Sequence, residues 1–367
     1  EHDLKNINSM LKDVENMIFG EKKNFKLAKE KLLDFVKGVS IFEDDNETDY
    51  YNFDDIIQFI IYTRLNKTNK KVIWSSIPFY TAYSYLAYIY NEEKNYDEAL
   101  KTIALQMKIA PLNLSSYFEK CETYKMQNMW EEFKNETLNI YDKIYDARDL
   151  AHYYRNLGFY YTEMNNLDLA YALYTASTKF ENNKNAYWEM TYIDQKLNRP
   201  KYNMPAEEGI KLLKDNNIAF GPKQENLNML VEIYSTEKEL VKNPSTEMLL
   251  AGKIYYLTKD KRFAPFFEKI DKTTGCSIVI PRSWNPIKPE VIKEKFSKNQ
   301  MFAIYTDTNA LFQAVYDGKC AEEEFNEAYN LNVSNIKNNK QFNTKLLKES
   351  IIDLKLQQGL KRFNQAL

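Results

Sequence analysis

His152, Tyr153, Tyr154 and Arg155 stand together at the start of the run H-Y-Y-R-N-L-G-F-Y-Y-T-E, residues 152 to 163. Imidazole, phenol and guanidinium side by side are groups of general acid–base chemistry, and His152 is one of only two histidines in the chain. Catalysis would require an orienting carboxylate on one side of the imidazole and a nucleophile on the other. Residues three and four apart share a helical face, so His152 is grouped with Arg155, Asn156, Phe159 and Glu163. Tyr154, Leu157, Gly158 and Tyr161 fall on a different face. Helical spacing supplies His152 with neither catalytic partner, so the run reads as a packed helix with a polar and aromatic binding surface.

No other pattern carries a reaction. The acidic run E-D-D-N-E-T-D, Glu43 to Asp49, hints at calcium, but a loop starting at Asp44 places Asp49 where glycine is needed and Asp55 where a bidentate Glu is needed. A solvated loop whose Asn52 or Asp54 caps the next helix is the expectation there. Cys121, Cys276 and Cys320 are widely spaced and lack His-rich neighbours, so they read as reduced structural thiols, with no metal and no cofactor expected. Phosphate-cradling glycine loops, a nucleophile elbow and a zinc-protease helix are all absent from the sequence.

Charge and composition narrow the partners. Fifty Lys and Arg against 52 Asp and Glu give no electrostatic reason to expect nucleic acid. No uninterrupted apolar run has the length of a membrane span, so a membrane is not an expected partner. The start E-H-D-L-K-N is neither a signal peptide nor an initiator methionine. Cysteine usage and the lack of secretory features point to the cytoplasm, and export behind a cleaved leader is also compatible. Only 9 Gly and 10 Pro in 367 residues, with 28 Tyr and 21 Phe, favour long helices packed through aromatic rings.

The organisation is repetitive. From Tyr80 the chain reads as two amphipathic helices separated by a polar turn at Glu93 to Asn95, with Leu86, Ala87 and Tyr90 on one face, Tyr96 and Ala99 opening the second helix, and Pro111 ending it. Leu157, Gly158 and Tyr161 repeat the L-G-x-x-Y pattern, with Tyr154 ahead of them and Ala170 and Tyr174 on the following helix. Between these, Leu114 to Asp146 keeps Tyr117, Tyr124 and Trp130 but carries Lys120, Cys121 and Phe133 at positions that want Leu, Gly and Ala. The copies begin at Tyr80, Leu114 and Ala151, offsets of 34 and 37 residues. A fourth begins near Asn185, with Trp188 at the large position and its turn enlarged by N-R-P-K-Y-N-M-P, Asn198 to Pro205, before a helix A-E-E-G-I-K-L-L-K. Helices at about Lys223 to Lys242 and Ser245 to Lys259, with R-F-A-P-F-F-E-K-I, read as one more worn pair.

These stretches resemble tetratricopeptide repeats over residues 76 to 215, and more weakly to about 270. The run A-H-Y-Y-R-N-L-G-F-Y-Y-T-E with A-Y-W-E-M-T-Y-I is similar to tetratricopeptide proteins of low-GC, Gram-positive bacteria. The resemblance implies a mainly α fold, an α-α superhelix with capping ends. Three regions are expected: an N-terminal helical cap over 1–75, holding helices within Leu4 to Val39 and at Phe53 to Leu65; the repeats over 76–271; and a small C-terminal domain over 272–367. That last domain reads as mainly helical, at Thr308 to Tyr316, Ala321 to Tyr329 and Thr344 to Leu367, with short strands around T-T-G-C-S-I-V-I-P-R and Met301 to Asp307.

The resemblance also implies a concave surface lined by the first helix of each pair. Its residues would be Ser84, Tyr85, Tyr88, Asn91 and Glu92; Ser115, Phe118, Glu119, Glu122 and Lys125; His152, Arg155, Asn156, Phe159 and Glu163; and Glu189, Met190, Ile193 and Lys196. Such a groove suits an extended peptide or a partner helix, so the expected function is a non-enzymatic scaffold or adaptor for a protein segment. Two alternatives stand beside it. One is a peptide-sensing regulator; the other is a ligand-binding or enzymatic C-terminal domain built on Arg282, Trp284, Asp307 and Cys320.

Overall fold

A computed structural model describes residues 4–38, 47–66, 69–237 and 244–264, and the backbone of four short strands beyond them. The chain is mainly helical with a few short strands, and no described helix is long and apolar enough to cross a membrane. It divides into two compact units, Glu1–Ile233 and Tyr234–Leu367. The sequence reading places boundaries near 75 and 271. The N-terminal helices share one core with Ala82, Leu86 and Ile89 of the helix that follows them.

In the first unit, α1 (Leu4–Phe19) buries Ile7, Leu11, Val14 and Ile18, which recur at helical spacing. Gly20 ends it, since a Cβ there would lie 2.3 Å from the Asn16 carbonyl oxygen. The next helix, α2 (Phe25–Gly38), adds Ala28 and Leu32 to the same core. Both pack on α4 (Phe79–Glu92) through Ala82, Leu86 and Ile89.

Between α2 and α4 the helix read at Phe53 to Leu65 is present as α3 (Ile56–Leu65). Two strands absent from the sequence reading, β1 (Thr48–Tyr51) and β2 (Lys71–Trp74), lie before and after it and pair in parallel. Asp55, rather than Asn52 or Asp54, caps α3 by accepting the Gln58 N–H at 2.9 Å. The other two side chains anchor this segment. Asn52 donates to the Ser75 and Ile77 carbonyls and accepts the Tyr80 N–H, while Asp54 accepts both bonds of the Asn113 amide. Most of the acidic run, Glu43 to Asn46, lies outside the described residues, and Asp49 pairs with Lys70 at 3.1 Å.

From α4 the chain builds helix pairs: α4 with α5 (Tyr96–Ile109), α6 (Leu114–Met126) with α7 (Trp130–Ile140), and α8 (Ala147–Glu163) with α9 (Leu167–Phe180). Each helix also packs on the next, as far as α10 (Lys184–Lys196) on α9. One turn makes the reversal within each pair. After α4, Lys94 adopts φ 57°, its N–H bonds the Asn91 carbonyl at 3.0 Å, and the Asn95 N–H reaches back to Tyr90 at 2.8 Å. This 6→1 and 5→2 bonding closes orphan carbonyls with one left-handed residue, and it recurs around Asn128, Asn165, Asn198 and Asn217.

Close approach then sets the packing within pairs. Gly158 of α8 lies under the Tyr174 ring of α9, where an added Cβ would be 3.0 Å from ring carbons. In the preceding pair the corresponding contact joins Cys121 and Thr137 at 3.5 Å, so a larger residue on the first helix is matched by a smaller one on the second. Phe133 is fully buried in that pair, and Lys120 reaches out to Glu136 at 2.7 Å.

The fourth pair departs from expectation. Helix α11 (Ala206–Asp215) packs on α9, with Met204 beneath its Gly209. Trp188, expected in a helix interface, is 68 % exposed on α10, with Tyr187 and Tyr192 beside it. The enlarged turn is held by Arg199, which bonds Asp194 at 2.7 Å and stacks on Tyr171 and Tyr202. Asp194 also accepts the Tyr202 N–H, and Tyr171 donates to the Tyr202 carbonyl. Beyond α11 the chain returns over earlier pairs: the Tyr154 hydroxyl donates to the Ala219 carbonyl and accepts the Gly221 N–H. Helix α12 (Gln224–Thr236) is tied through Asn226 to the Asp142 and Ile144 carbonyls.

In the second unit, α13 (Pro244–Thr258) is followed by a 3-10 turn at Lys261–Phe263. Strand β3 (Phe266–Ile270), expected as helix, pairs antiparallel with β4 (Ser277–Pro281), which matches the strand read there. Two-residue strands β5 (Asn285–Pro286) and β6 (Ala314–Val315) also pair, so Ala314 and Val315, expected as helix, are strand, and the rest of the Thr308 to Tyr316 stretch lies outside the described residues. The strand read at Met301 to Asp307 and the helices read at Ala321 to Tyr329 and Thr344 to Leu367 lie outside the described residues.

Two expected outcomes test this packing by urea denaturation. Gly158→Leu forces the Tyr174 ring off α8 and lowers stability by about 2–3 kcal/mol. Lys94→Gly removes a side chain from a left-handed position and raises stability by roughly 0.5–1 kcal/mol.

Candidate functional site

Three first helices, α6, α8 and α10, start with the same device. Asn113, Asp146 and Asn183 each accept the backbone N–H two residues on, from Ser115, Arg148 and Asn185, at 3.0, 2.9 and 2.9 Å. These helices are thus capped alike at their starts and reversed alike at their ends.

Ring contacts and charges link the helices. Phe118 of α6 stacks on the imidazole of His152 of α8, with ring centroids 3.7 Å apart and planes 15° from parallel. Lys125 of α6 pairs with Glu122 at 3.1 Å and stands 4.1 Å from the centre of the Phe159 ring of α8. Phe159 meets Phe133 edge-on and leans on Trp130. Lys125 is within electrostatic reach of His152 and of Glu189 on α10. Phe118, Glu122, Lys125, His152, Phe159 and Glu189 therefore form one neighbourhood.

The remaining expected groove residues are more occupied. Tyr88 is covered by Phe19 of α1, 4.9 Å away, and meets Phe25 of α2 edge-on. The N-terminal helices thus sit over the α4 stretch of the surface. Asn91 is 4 % exposed, and its amide bonds Glu119 at 3.1 Å and Thr123 at 2.9 Å, clasping α4 to α6. Arg155 is drawn to Glu181 beyond the end of α9 by a 2.6 Å ion pair. Neither Glu181 nor the Phe19 cover was legible as a partner, because each comes from a separate helix and no local spacing links them.

Asn156 differs from all of these. It is 5 % exposed, and its Nδ2 is buried without a hydrogen-bond partner among the described residues. It shares the helical stripe of His152 and Phe159, four residues before and three after. A buried amide donor left unpaired costs about 1–3 kcal/mol, so a group that accepts from it there binds with that gain.

Burial governs ionisation around it. It lowers His152 to about 4, with the cationic Arg155 and Lys125 adding to the effect, so the imidazole is neutral near pH 7. Burial likewise raises the Glu119 carboxyl, opposed by the Asn91 hydrogen bond and aided by Glu122. Glu189 is raised by burial too, opposed by Lys125 and aided by Glu163. The Cys121 thiol is pushed up to about 12 by burial, which leaves it a poor nucleophile. Among the described residues no His, Cys, Asp and Glu cluster could hold a metal ion. Arg282, Trp284, Asp307 and Cys320 lie outside the described residues.

No protein-family model, curated protein or solved structure matches this chain.

The depressed His152 pKa has a definite sign. The unfolded chain binds a proton below about 6.5 that the folded chain refuses until about 4, so the His152 contribution is present above 6.5 and lost as pH falls toward 4. Unfolding at pH 7 and 4.5 should show roughly 2 kcal/mol of acid sensitivity that His152→Phe removes. NMR titration should find one imidazole, that of His152, unchanged between pH 8 and about 5.5.

Proposed function

We propose that this chain is a tetratricopeptide-like helical-repeat scaffold that holds an extended segment of a protein partner across α6, α8 and α10. The reading is non-enzymatic. It is supported by helix pairs reversed through one repeated turn, and by side chains of successive first helices in contact, Phe118 with His152 and Lys125 with Phe159. Asn156 carries it furthest: a buried amide donor without a partner among the described residues, beside the His152 and Phe159 rings. An extended peptide has main-chain carbonyls to accept from that donor and side chains to lie against the rings. The neutral, ring-stacked His152 and the high-pKa Cys121 suit a contact surface better than a reactive centre.

Stability and binding should separate at Asn156. Peptides selected on the wild-type chain from a displayed random library would be measured against Asn156→Leu. The variant should keep its helical content and match or exceed wild-type stability by up to about 1 kcal/mol, because an unsatisfied buried amide is replaced by an apolar group of similar shape. Peptide affinity should fall tenfold or more. Undiminished affinity in a folded variant would move the binding surface away from α8.

A further inference from the structure

We infer that the segment held on this face is basic, with Lys or Arg side chains received by Glu119 and Glu189; the inference rests on the peptide-binding reading above. The face has more carboxylate than cation available to a ligand. Its two innermost cations are already engaged: Arg155 with Glu181 at 2.6 Å, and Lys125 with Glu122 at 3.1 Å and with the Phe159 ring. Glu119 is half-buried and accepts a hydrogen bond from the Asn91 amide, with no ion-pair partner among the described residues. Glu189 is half-buried as well and forms no ion pair among the described residues; Lys125 offsets its charge in part, and Glu163 adds negative potential beside it.

Glu119, at the α4–α6 clasp, and Glu189 on α10 are thus two half-buried carboxylates on the helices before and after α8, whose stripe carries Asn156. Asn156 is the independent sign of a ligand, since its buried Nδ2 calls for an acceptor and no group among the described residues supplies one. A main-chain carbonyl meets that need, and the carboxylates receive cationic side chains on either side. The rings of Phe118 and Phe159 offer apolar surface for the methylene stems of Lys and Arg. Burial holds Glu119 and Glu189 above their ordinary pKa against the Asn91 hydrogen bond and Lys125 respectively, with Glu122 and Glu163 aiding it. An arriving ammonium or guanidinium offsets both effects, so desolvation that is unfavourable in the free chain is compensated in the complex.

The test is a positional-scanning library of hexapeptides, with bound pools read on the full chain and on a Glu119→Gln/Glu189→Gln double variant. The amide introduced by Glu119→Gln retains an oxygen to accept from Asn91, and a thermal melt verifies folding of the variant. Lys or Arg should be enriched at two positions of the wild-type pools and Asp and Glu depleted. The double variant should lose that preference, with affinity for the best basic peptide falling at least tenfold, and added salt should weaken the wild-type complex more than the variant's. Selection of uncharged or acidic peptides, or equal binding of basic ones by the double variant, would overturn the inference while leaving peptide binding intact. Selection of no peptide at all would overturn the peptide-binding reading itself and this inference with it.

Discussion

A single left-handed residue at the end of each first helix governs how the rest of the first unit is arranged. With Lys94, Asn128, Asn165 and Asn198 at positive φ, the chain reverses within three residues. Tight reversal leaves room for only one kind of helix–helix contact, so small groups fall opposite large ones, as Gly158 does beneath Tyr174. Successive first helices then come into side-chain contact, α4 with α6 through Asn91 and α6 with α8 through Phe118. Residues of successive first helices, such as Phe118 on α6 and His152 on α8, become neighbours.

The same regularity explains where the array stops. At α10 the left-handed turn forms around Asn198, but the Arg199 clasp on Asp194, Tyr171 and Tyr202 leads the chain away before α11 begins. Helix α11 packs on α9, and the Tyr154 hydroxyl, bonded on both sides to the 219–221 backbone, fixes the return path. The β1–α3–β2 unit is held to the end of α5 and the start of α4 by Asn52. These additions leave the His152 and Asn156 side of α8 to the rings and charges described above.

Much of this was legible in residue spacing. L-G-x-x-Y at 157–161 marks the α8–α9 crossing because only a small side chain admits the Tyr174 ring. The repeat resemblance, with helical spacing, assigned Phe118, Glu119, His152, Asn156, Phe159 and Glu189 to first helices, and of these Phe118 and His152 are in ring contact. Four-residue strands such as T-D-Y-Y and K-V-I-W were not legible, because they are too short to show alternation and their parallel pairing joins distant segments. Nor was the burial of Asn91, whose partners lie on α6, or the exposure of Trp188, which depends on where α11 docks. Local pattern encodes a helix and its faces; which face is then covered depends on chain that arrives from far away.

The central claim is that α6, α8 and α10 present one surface to a bound segment. Hydrogen exchange, followed by mass spectrometry on the full chain with and without a saturating selected peptide, tests it most directly. The account predicts slowed exchange or altered protection confined to 114–126, 147–163 and 184–196, with 47–75 and 206–236 unchanged. Protection confined to 47–75, to 206–236 or to the second unit would contradict it.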